Sequence, residues 1–237
     1  MIDKGLREQV CEANHDLARA GLVTLSFGNV SGVDRSFGAL VIKPSGVACN
    51  AVRPGELVVV SLADGSILEG SMRPSSDTPT HLRLYQAFPD IGGVVHAHSS
   101  FAAAFAQAGR DIPCLGTTHA DHFRGAVPVT RSLSDAEIEG EYEAETGNVI
   151  IETVRARSHE ALHMPAVLVR SHGPFTWGRD ATAAVVNAIA LEAVAAMALR
   201  TISLDPRASA IQDALLRRHF DRKHGPGAYY GQPGDAH

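Results

Sequence analysis

The first third of the chain contains short runs of β-branched and aliphatic residues that are separated by tight-turn signals. The runs span residues 22–25, 39–42, 57–62 and 66–68, and turn signals lie at 44–46 (Pro-Ser-Gly) and 64–65 (Asp-Gly). Tight turns are too short for the helical crossover that parallel strands require, so they join antiparallel neighbours. The pattern therefore predicts a mostly antiparallel sheet.

Helical periodicity occupies much of the remaining sequence. Apolar positions at Leu6, Val10 and Leu17, followed by Gly21, predict an amphipathic helix over residues 3–20. Further helices are predicted at 78–88, 101–107, in part of 134–155, at 180–199 and near 208–219, and further strands at 92–99, 166–171 and 175–177. We therefore expect one three-layer α/β/α domain over residues 1–237, with residues 233–237 as a disordered tail.

Composition excludes several classes of protein. The net charge of −5, without a basic patch, argues against nucleic acid as a partner. The apolar segment 182–204 is interrupted by Asn187, Glu192 and Arg200, which indicates a buried helix and no membrane span. The charged N-terminus is unlike a signal peptide, and the three cysteines lack C-x-x-C spacing. We therefore expect a cytoplasmic protein.

Two histidines lie two residues apart in the strand predicted at 92–99. Residues i and i+2 of a strand share a face, so His96 and His98 can hold one cation, although two such histidines are often only a polar stripe. His172 follows a strong strand, and Asp77 precedes a predicted helix; each could add a ligand. Alternatively, Asp77 caps that helix and His172 is a buried histidine bonded to a backbone carbonyl.

Two Ser/Gly turns have the composition of a phosphate-binding site. They lie at 43–46 (Lys-Pro-Ser-Gly) and 75–77 (Ser-Ser-Asp), and Asn29 could add an amide donor. Small hydroxyl residues, free backbone N–H groups and one lysine suit a phosphate monoester. The spacing differs from a nucleotide-binding P-loop. As isolated features, such turns are more often structural.

Together the motifs resemble the class II aldolase/epimerase superfamily. The matching stretches are 28–31 (GNVS), 42–47 (IKPSGV), 74–81 (PSSDTPTH), 96–99 (HAHS) and 171–174 (SHGP). More narrowly, the L-ribulose-5-phosphate 4-epimerases of that superfamily are resembled at 116–121 (GTTHAD), 140–148 (GEYEAETGN) and 222–232 (RKHGPGAYYGQ). The resemblance covers residues 1–232 and implies a metal-dependent sugar-phosphate epimerase.

The resemblance also implies a role for individual residues. The divalent metal, usually zinc with manganese or cobalt as alternatives, is held at Asp77, His96, His98 and His172. The phosphate is held at Asn29, Lys43, Ser45, Gly46, Ser75 and Ser76. Proton transfer is assigned to Asp121 and Tyr230, and four more positions lie around the site: Thr117, Glu143, His219 and Arg222. Family members are homotetramers whose active sites form where subunits meet.

The chain departs from the epimerase pattern at Phe27, where such enzymes commonly have tryptophan. Small sugar-phosphate lyases of the superfamily commonly have glutamate at the position of Asp77. Aspartate there, together with Asp121 and Tyr230, favours an epimerase. An aldolase of the same superfamily is the nearest alternative, and a non-catalytic scaffold domain is a more distant one. Arabinose and ascorbate routes use similar epimerases.

The expected reaction is constrained by the chemistry of ribulose 5-phosphate. Its carbonyl is at C2, so the hydrogen on C4 is not activated and direct deprotonation there is implausible. Retro-aldol cleavage of C3–C4, followed by addition to the opposite face of the aldehyde, inverts C4 and gives D-xylulose 5-phosphate. The metal would stabilise the enediolate as a Lewis acid. Four protein ligands, however, fill a tetrahedral zinc, so either its coordination expands or Asp77 leaves it.

Overall fold

The computed structural model describes residues 2–157 and 160–230. Within these residues, seven strands form one sheet in the order β4-β3-β2-β1-β5-β7-β6, and each neighbouring pair is antiparallel. The strands are β1 (Asn29–Asp34), β2 (Ala39–Ile42), β3 (Val58–Ser61), β4 (Ile67–Glu69), β5 (Gly93–His96), β6 (Ala166–Leu168) and β7 (Pro174–Gly178). The antiparallel sheet is confirmed, whereas the predicted tail at 233–237 lies outside the described residues.

Helices cover both faces of this sheet. They are α1 (Lys4–Arg19), α2 (Thr78–Ala87), α3 (Ser100–Ala108), α4 (Thr117–Ala120), α5 (Asp135–Glu139), α6 (Tyr142–Arg157), α7 (Ala181–Leu204) and α8 (Asp213–His224). Successive strand residues alternate between two cores: Val41 and Val59 pack with α1 and α7, whereas Leu40 and Val60 pack with α2 and α6. The predicted three-layer α/β/α arrangement is confirmed.

The start of α7 lies close against the sheet because two glycines of the β5 region leave room for it. A Cβ atom on Gly92 would lie 2.0 Å from the carbonyl oxygen of Arg179, and one on Gly93 would lie 2.3 Å from that of Asp180. The carboxylate of Asp180 caps the helix by accepting a hydrogen bond of 2.8 Å from the backbone N–H of Ala183. This junction fixes α7 across the end of β5 that lies opposite to His96.

Helix α7 is long and apolar enough to cross a membrane by length and composition alone, but half of its most apolar window is buried in the protein. It packs against β5, β7, α1 and α3. These contacts agree with the prediction of a buried helix at 182–204. A buried core helix can be as long and as apolar as a membrane span.

Three predicted elements differ from the structure. Residues 22–25 form no strand, because Leu25 has a positive φ of 56° in a turn closed by a hydrogen bond from Phe27 N–H to the Thr24 carbonyl. Helix α8 begins at residue 213 instead of 208, because Ile211 donates its N–H to the carbonyl of Cys114 and holds the preceding chain extended. The predicted strand 166–171 ends at Leu168, where the chain enters a hairpin turn.

Strand β1 was missed as a strand, although its first residues belong to a motif recognised in the sequence. It contains Asn29, Ser31 and Gly32, whose side chains give no apolar run. Nevertheless its first four residues are buried in the middle of the sheet between β2 and β5. Polar side chains on a buried central strand are typical of a functional site.

Candidate metal centre and phosphate-binding loops

Three histidines converge at the C-terminal end of the inner strand β5. His96 is the last residue of β5, His98 follows it by two residues, and His172 lies in the turn between β6 and β7. The possible ligand atoms of these side chains all lie within 4.8 Å of one another, and the Nε2 atoms of His96 and His98 are 3.0 Å apart. The predicted strand 92–99 ends at His96, so His98 lies beyond β5 but still places its ring next to that of His96.

His96 and His172 have the protonation that a metal ligand requires, and the His96 ring is also oriented for that role. Burial lowers the pKa of His96 to about 3 and also lowers the pKa of His172, so both imidazoles are neutral near pH 7. The Nδ1 atom of His96 lies 3.1 Å from the carbonyl oxygen of Pro174 and donates to it, which leaves the Nε2 lone pair directed at the cluster. Three imidazole nitrogens at this spacing fit a divalent transition metal.

The hairpin turn that carries His172 packs closely beneath the other two histidines. The turn is closed by hydrogen bonds from His172 N–H to the Val169 carbonyl and from Val169 N–H to the Gly173 carbonyl. A Cβ atom on Gly173 would lie 2.7 Å from the carbonyl oxygen of Ala97 and 3.3 Å from Cδ2 of His98. Glycine is therefore required at residue 173 for the close approach of the two segments.

Asp77 lies beside this cluster and is directed elsewhere. It occupies the N-cap position of α2, but its carboxylate makes no capping hydrogen bond, so the capping interpretation is wrong. Instead, Oδ2 accepts a hydrogen bond of 2.6 Å from Nδ2 of Asn29. Burial alone would raise the pKa of Asp77, but His96 and the Asn29 hydrogen bond hold that pKa below its usual value. An ionised carboxylate therefore lies beside the histidine cluster.

The two Ser/Gly turns lie side by side in the structure. Pro44 and Pro74 form an antiparallel bridge. On either side of it, Ser45 N–H donates to the carbonyl of Arg73, and Ser75 N–H donates to the carbonyl of Lys43, each at 3.0 Å. Three residues of these turns are exposed and available to a ligand: Ser45, Gly46 and Ser76.

Asn29 connects the turns to the histidines. It pairs with His96 across the β1–β5 ladder, and its Nδ2 atom also donates to Oγ of Ser75 at 3.0 Å. The Oδ1 atom of Asn29 is buried and has no hydrogen-bond partner among the described residues. The turns and the metal cluster therefore form one continuous site, with an unused acceptor between them.

Lys43 is deeply buried beneath the turns. Its Nζ atom donates to three backbone carbonyls, those of Ser26 at 3.4 Å, Pro44 at 3.3 Å and Val47 at 2.5 Å. Burial lowers its pKa, and only 2% of the residue is exposed. The side chain therefore joins the loop that precedes β1 to the 44–47 turn and places a positive charge directly below the exposed serine residues.

The two predicted proton-transfer residues lie in a second group, built on α4 and α8. The Asp121 carboxylate follows α4 and accepts from Nε and Nη2 of Arg222, at 3.0 and 2.7 Å, and from Nδ1 of His219 at 3.0 Å. Burial would raise the pKa of Asp121, but Arg222 and His219 lower it below its usual value. The Cζ atom of the Arg222 guanidinium lies 4.9 Å from the centroid of the Tyr230 ring. Thr117 is the first residue of α4 and so belongs to the same group.

The structure therefore divides the predicted residues into two groups. Every hydrogen bond that the Asp121 side chain makes with described residues goes to α8, and none goes to the histidine cluster. Glu143 lies on the side of the histidine cluster, because it follows Tyr142 in α6 and its carbonyl accepts a hydrogen bond of 2.6 Å from Thr80 in α2.

Two aromatic residues that contact the histidines were given no role in the site on the basis of sequence. The ring of Phe27 stacks on His98 with centroids 6.0 Å apart and remains half exposed. The hydroxyl of Tyr142 lies 3.3 Å from Nδ1 of His172. Phe27 directly precedes the 28–31 motif, and Tyr142 lies within the 140–148 motif. Their closeness to these motifs is the sequence signal that could have identified them.

Comparison with known proteins supports a family assignment. Residues 8–199 match the family model of the class II aldolase and adducin N-terminal domain. The chain is 56% identical over 227 residues to L-ribulose-5-phosphate 4-epimerase UlaF of Salmonella paratyphi C (strain RKS4594), a match that covers 96% of this chain and 98% of that protein. The UlaF protein of Salmonella typhi matches with the same identity and coverage.

Solved structures of aldolases share the fold at low sequence identity. An L-fuculose 1-phosphate aldolase superposes with a TM-score of 0.73 at 21% identity and covers 94% of this chain and 97% of its own. The L-fuculose 1-phosphate aldolase of Glaciozyma antarctica PI12 gives 0.74 at 18% identity, with 92% of this chain and 81% of its own covered. The chain therefore belongs to the class II aldolase and adducin N-terminal domain family.

Proposed function

We propose that the protein is a metal-dependent epimerase that interconverts L-ribulose 5-phosphate and D-xylulose 5-phosphate. The observation that carries the proposal is the continuity of two sites: three converging imidazoles adjoin two exposed serine turns through Asn29. A sugar phosphate presents vicinal oxygens for a metal at one end and a phosphate for the turns at the other. The identity to proteins named as epimerases of this substrate supports the choice of sugar.

The metal is zinc, with manganese and cobalt as alternatives, because a site of three imidazoles suits a borderline-soft divalent ion. When bound, the metal supplies Lewis-acid stabilisation for the enediolate that results from cleavage of C3–C4. Asp77 would complete the ligand set beside the three histidines. Its carboxylate also has a partner outside the cluster, Nδ2 of Asn29, which supports a role in which Asp77 can be held off the metal.

The chain's own residues hold the fragments and move the protons. The backbone N–H groups of Gly46 and Ser76 and the hydroxyls of Ser45 and Ser76 hold the phosphate near Lys43, while Ser75 and Asn29 orient it. This grip retains glycolaldehyde phosphate while its carbonyl turns to present the other face. The C4 hydroxyl points to opposite sides in the two epimers, so two proton-transfer groups are required. Asp121 serves one side and Tyr230 the other.

A homotetramer supplies these two groups to each site. The described contacts of the Asp121 carboxylate are confined to α8, which supports its delivery to the histidine cluster of a neighbouring subunit. Thr117, His219 and Arg222 accompany Asp121, whereas Glu143 belongs with the histidines. Helix α7 offers a surface for assembly through an exposed apolar row: Val186, Ile189, Met197 and Leu204. Three buried free cysteines support a reducing, cytoplasmic location.

The test is to supply L-ribulose 5-phosphate to metal-replete protein and to quantify D-xylulose 5-phosphate, dihydroxyacetone and glycolaldehyde phosphate together. The proposal predicts that the epimer accumulates until equilibrium and that the two cleavage products stay at trace levels. Accumulation of the cleavage products without epimer would identify an aldolase instead. A protein that binds no metal and shows no turnover would support a scaffold domain.

A further inference from the structure

Tyr142 is the first residue of α6, and its hydroxyl lies 3.3 Å from Nδ1 of His172. We propose that Tyr142 is a positioning residue: its hydroxyl accepts the Nδ1–H of His172 and so directs Nε2 of that ring at the metal. The inference rests on the metal centre of the proposed function and does not depend on which sugar is the substrate. It adds to the site a tyrosine that neither binds the metal nor carries out proton transfer.

The three histidines differ in how their rings are held. Nδ1 of His96 is bonded to the backbone carbonyl of Pro174 in β7, which is part of the sheet and cannot move independently. His172 lies in a hairpin turn next to Ser171, which has a positive φ of 60°. Its described ring hydrogen bond is to a side chain, that of Tyr142. The orientation of the His172 ring therefore depends on the Tyr142 side chain, whereas the orientation of the His96 ring depends on a backbone carbonyl.

Ring stacking supplies a second contact between the two residues. The ring of Tyr142 lies against that of His172 with centroids 6.3 Å apart and planes inclined by 29°. A phenylalanine could keep this stacking while losing the hydroxyl. The hydrogen bond and the packing can therefore be separated by one substitution that removes a single oxygen atom.

The start of α6 is anchored firmly enough to hold the tyrosine in place. Thr80 Oγ1 of α2 donates to the carbonyl of Glu143 at 2.6 Å, and Thr146 Oγ1 donates to the carbonyl of Tyr142 at 2.8 Å. Gly147 brings the two helices close together, because a Cβ atom there would lie 2.7 Å from Cβ of Arg83. Tyr142 is thus fixed to α2, the helix that begins directly after Asp77.

A neutral hydroxyl in this position has a defined effect on a metal site. A partner on the second nitrogen of a metal-binding imidazole fixes the tautomer and the ring orientation, and its loss typically costs about 10- to 100-fold in metal affinity. The proton of Nδ1 is the one donated, so the Tyr142 hydroxyl acts as the acceptor and keeps its own proton. We therefore expect removal of the Tyr142 hydroxyl to weaken metal binding and to leave the fold unchanged.

The experiment compares Tyr142→Phe with Tyr229→Phe, a matched control at a tyrosine that is 66% exposed. The dissociation constant for zinc is measured against a chromophoric chelator, and the visible absorption spectrum of the cobalt form reports ligand geometry. We expect Tyr142→Phe to bind zinc about 10- to 100-fold more weakly and to shift the cobalt spectrum, with the melting temperature of the metal-free form unchanged. Tyr229→Phe should match the wild type in each measurement.

A third variant separates positioning from a general loss of structure. Thr146→Val removes the hydrogen bond to the Tyr142 carbonyl but leaves the hydroxyl contact to His172 in place. If Tyr142→Phe retains wild-type zinc affinity and cobalt spectrum, the inference is overturned and the proposed function stands. Equal losses of zinc affinity and of melting temperature in Tyr142→Phe and Thr146→Val also overturn it. A wild-type protein that fails to bind zinc or cobalt contradicts the metal centre itself.

Discussion

His96 illustrates how one residue sets the chemistry of the site. Its ring stacks on Phe175 with centroids 4.2 Å apart, and the carbonyl of Pro174 accepts its Nδ1–H. Because burial lowers its pKa to about 3, the imidazole is neutral at neutral pH and could bind a metal without first losing a proton. His98, in contrast, is exposed at the mouth of the site, so it is the histidine whose replacement disturbs the fold least.

His98→Asn should lower metal content and epimerase activity together. Removal of a direct ligand should weaken zinc binding by more than about 100-fold, since loss of a partner beyond the ligands already costs up to that much. Metal analysis after dialysis and initial rates are the measurements. His15→Asn on α1 is the control, because the His15 ring bonds the carbonyl of Val52 and contacts none of the site residues. Full zinc content in His98→Asn would remove His98 from the ligand set.

His119 should make the protein less stable in mild acid. Burial lowers its pKa to about 4, whereas the unfolded chain titrates near 6.5. Between these values the unfolded state binds the extra proton, so stability is fully present above pH 6.5 and is lost as the pH falls towards 4. At pH 5 the loss from this one residue is about 2 kcal/mol.

The measurement is urea unfolding at pH 7 and pH 5 for the wild type and for His119→Gln. The variant lacks the imidazole that accounts for the linkage, so its free energy of unfolding should fall by about 2 kcal/mol less between the two pH values. An identical pH dependence in both proteins would show that His119 is not responsible.

The hairpin of β6 and β7 is the element that assembles the metal centre. Its turn carries His172, its second strand pairs with β5, and Gly173 allows the turn to approach His98. The ring of Phe175 in β7 stacks against the ring of His96. The hairpin therefore fixes the position of one histidine and supports a second.

Gly173→Ala should damage this assembly. The added methyl group would lie 2.7 Å from the carbonyl oxygen of Ala97, so the turn must move away from the histidines. We expect a loss of about 1–3 kcal/mol in the free energy of unfolding and a weaker zinc affinity. Gly55→Ala is the control, since a Cβ atom there has no neighbour within 4 Å. Wild-type zinc affinity in Gly173→Ala would show that the close approach is not required.

The helices and most strands follow from local sequence, whereas the missed elements depend on the fold as a whole. The strands at 39–42 and 57–62 were found because both their faces are buried and their residues are aliphatic. The sequence does not predict strand β1, because the polar residues Asn29 and Ser31 break the apolar pattern: Asn29 adjoins the site, and Ser31 bonds to His81 and Tyr85 of α2. Helix α8 was placed too early because a hydrogen bond from Ile211 to the distant Cys114 overrides local helical preference.

At the scale of the whole molecule, sequence motifs named candidate residues but not how they are grouped. The sequence offered His172 as a ligand beside His96 and His98, and the structure brings it to them from a hairpin 74 residues beyond His98. The burial of Lys43 and the contact of Tyr142 with His172 could not be read from spacing, because both depend on long-range packing. Likewise the separation of Asp121 from the histidines emerges only from the three-dimensional arrangement.

This separation predicts complementation between inactive subunits. His98→Asn removes a metal ligand, whereas Tyr230→Phe should impair epimerisation with metal content intact. If each active site combines histidines of one subunit with Tyr230 of its neighbour, mixed tetramers regain roughly a quarter of the sites after random exchange. The two variants are unfolded together, refolded and assayed, with each variant refolded alone as the control. Mixtures no more active than the separate variants would place all groups of a site in one subunit.

Epimerisation of L-ribulose 5-phosphate in deuterium oxide, with products identified by nuclear magnetic resonance, tests the metal-dependent retro-aldol route. Retro-aldol cleavage breaks the C3–C4 bond and leaves the C4 hydrogen untouched. We expect metal-replete protein to form D-xylulose 5-phosphate without deuterium at C4, and metal-stripped protein to form none until zinc is restored. Deuterium at C4, or undiminished turnover after complete removal of metal, would rule out this route.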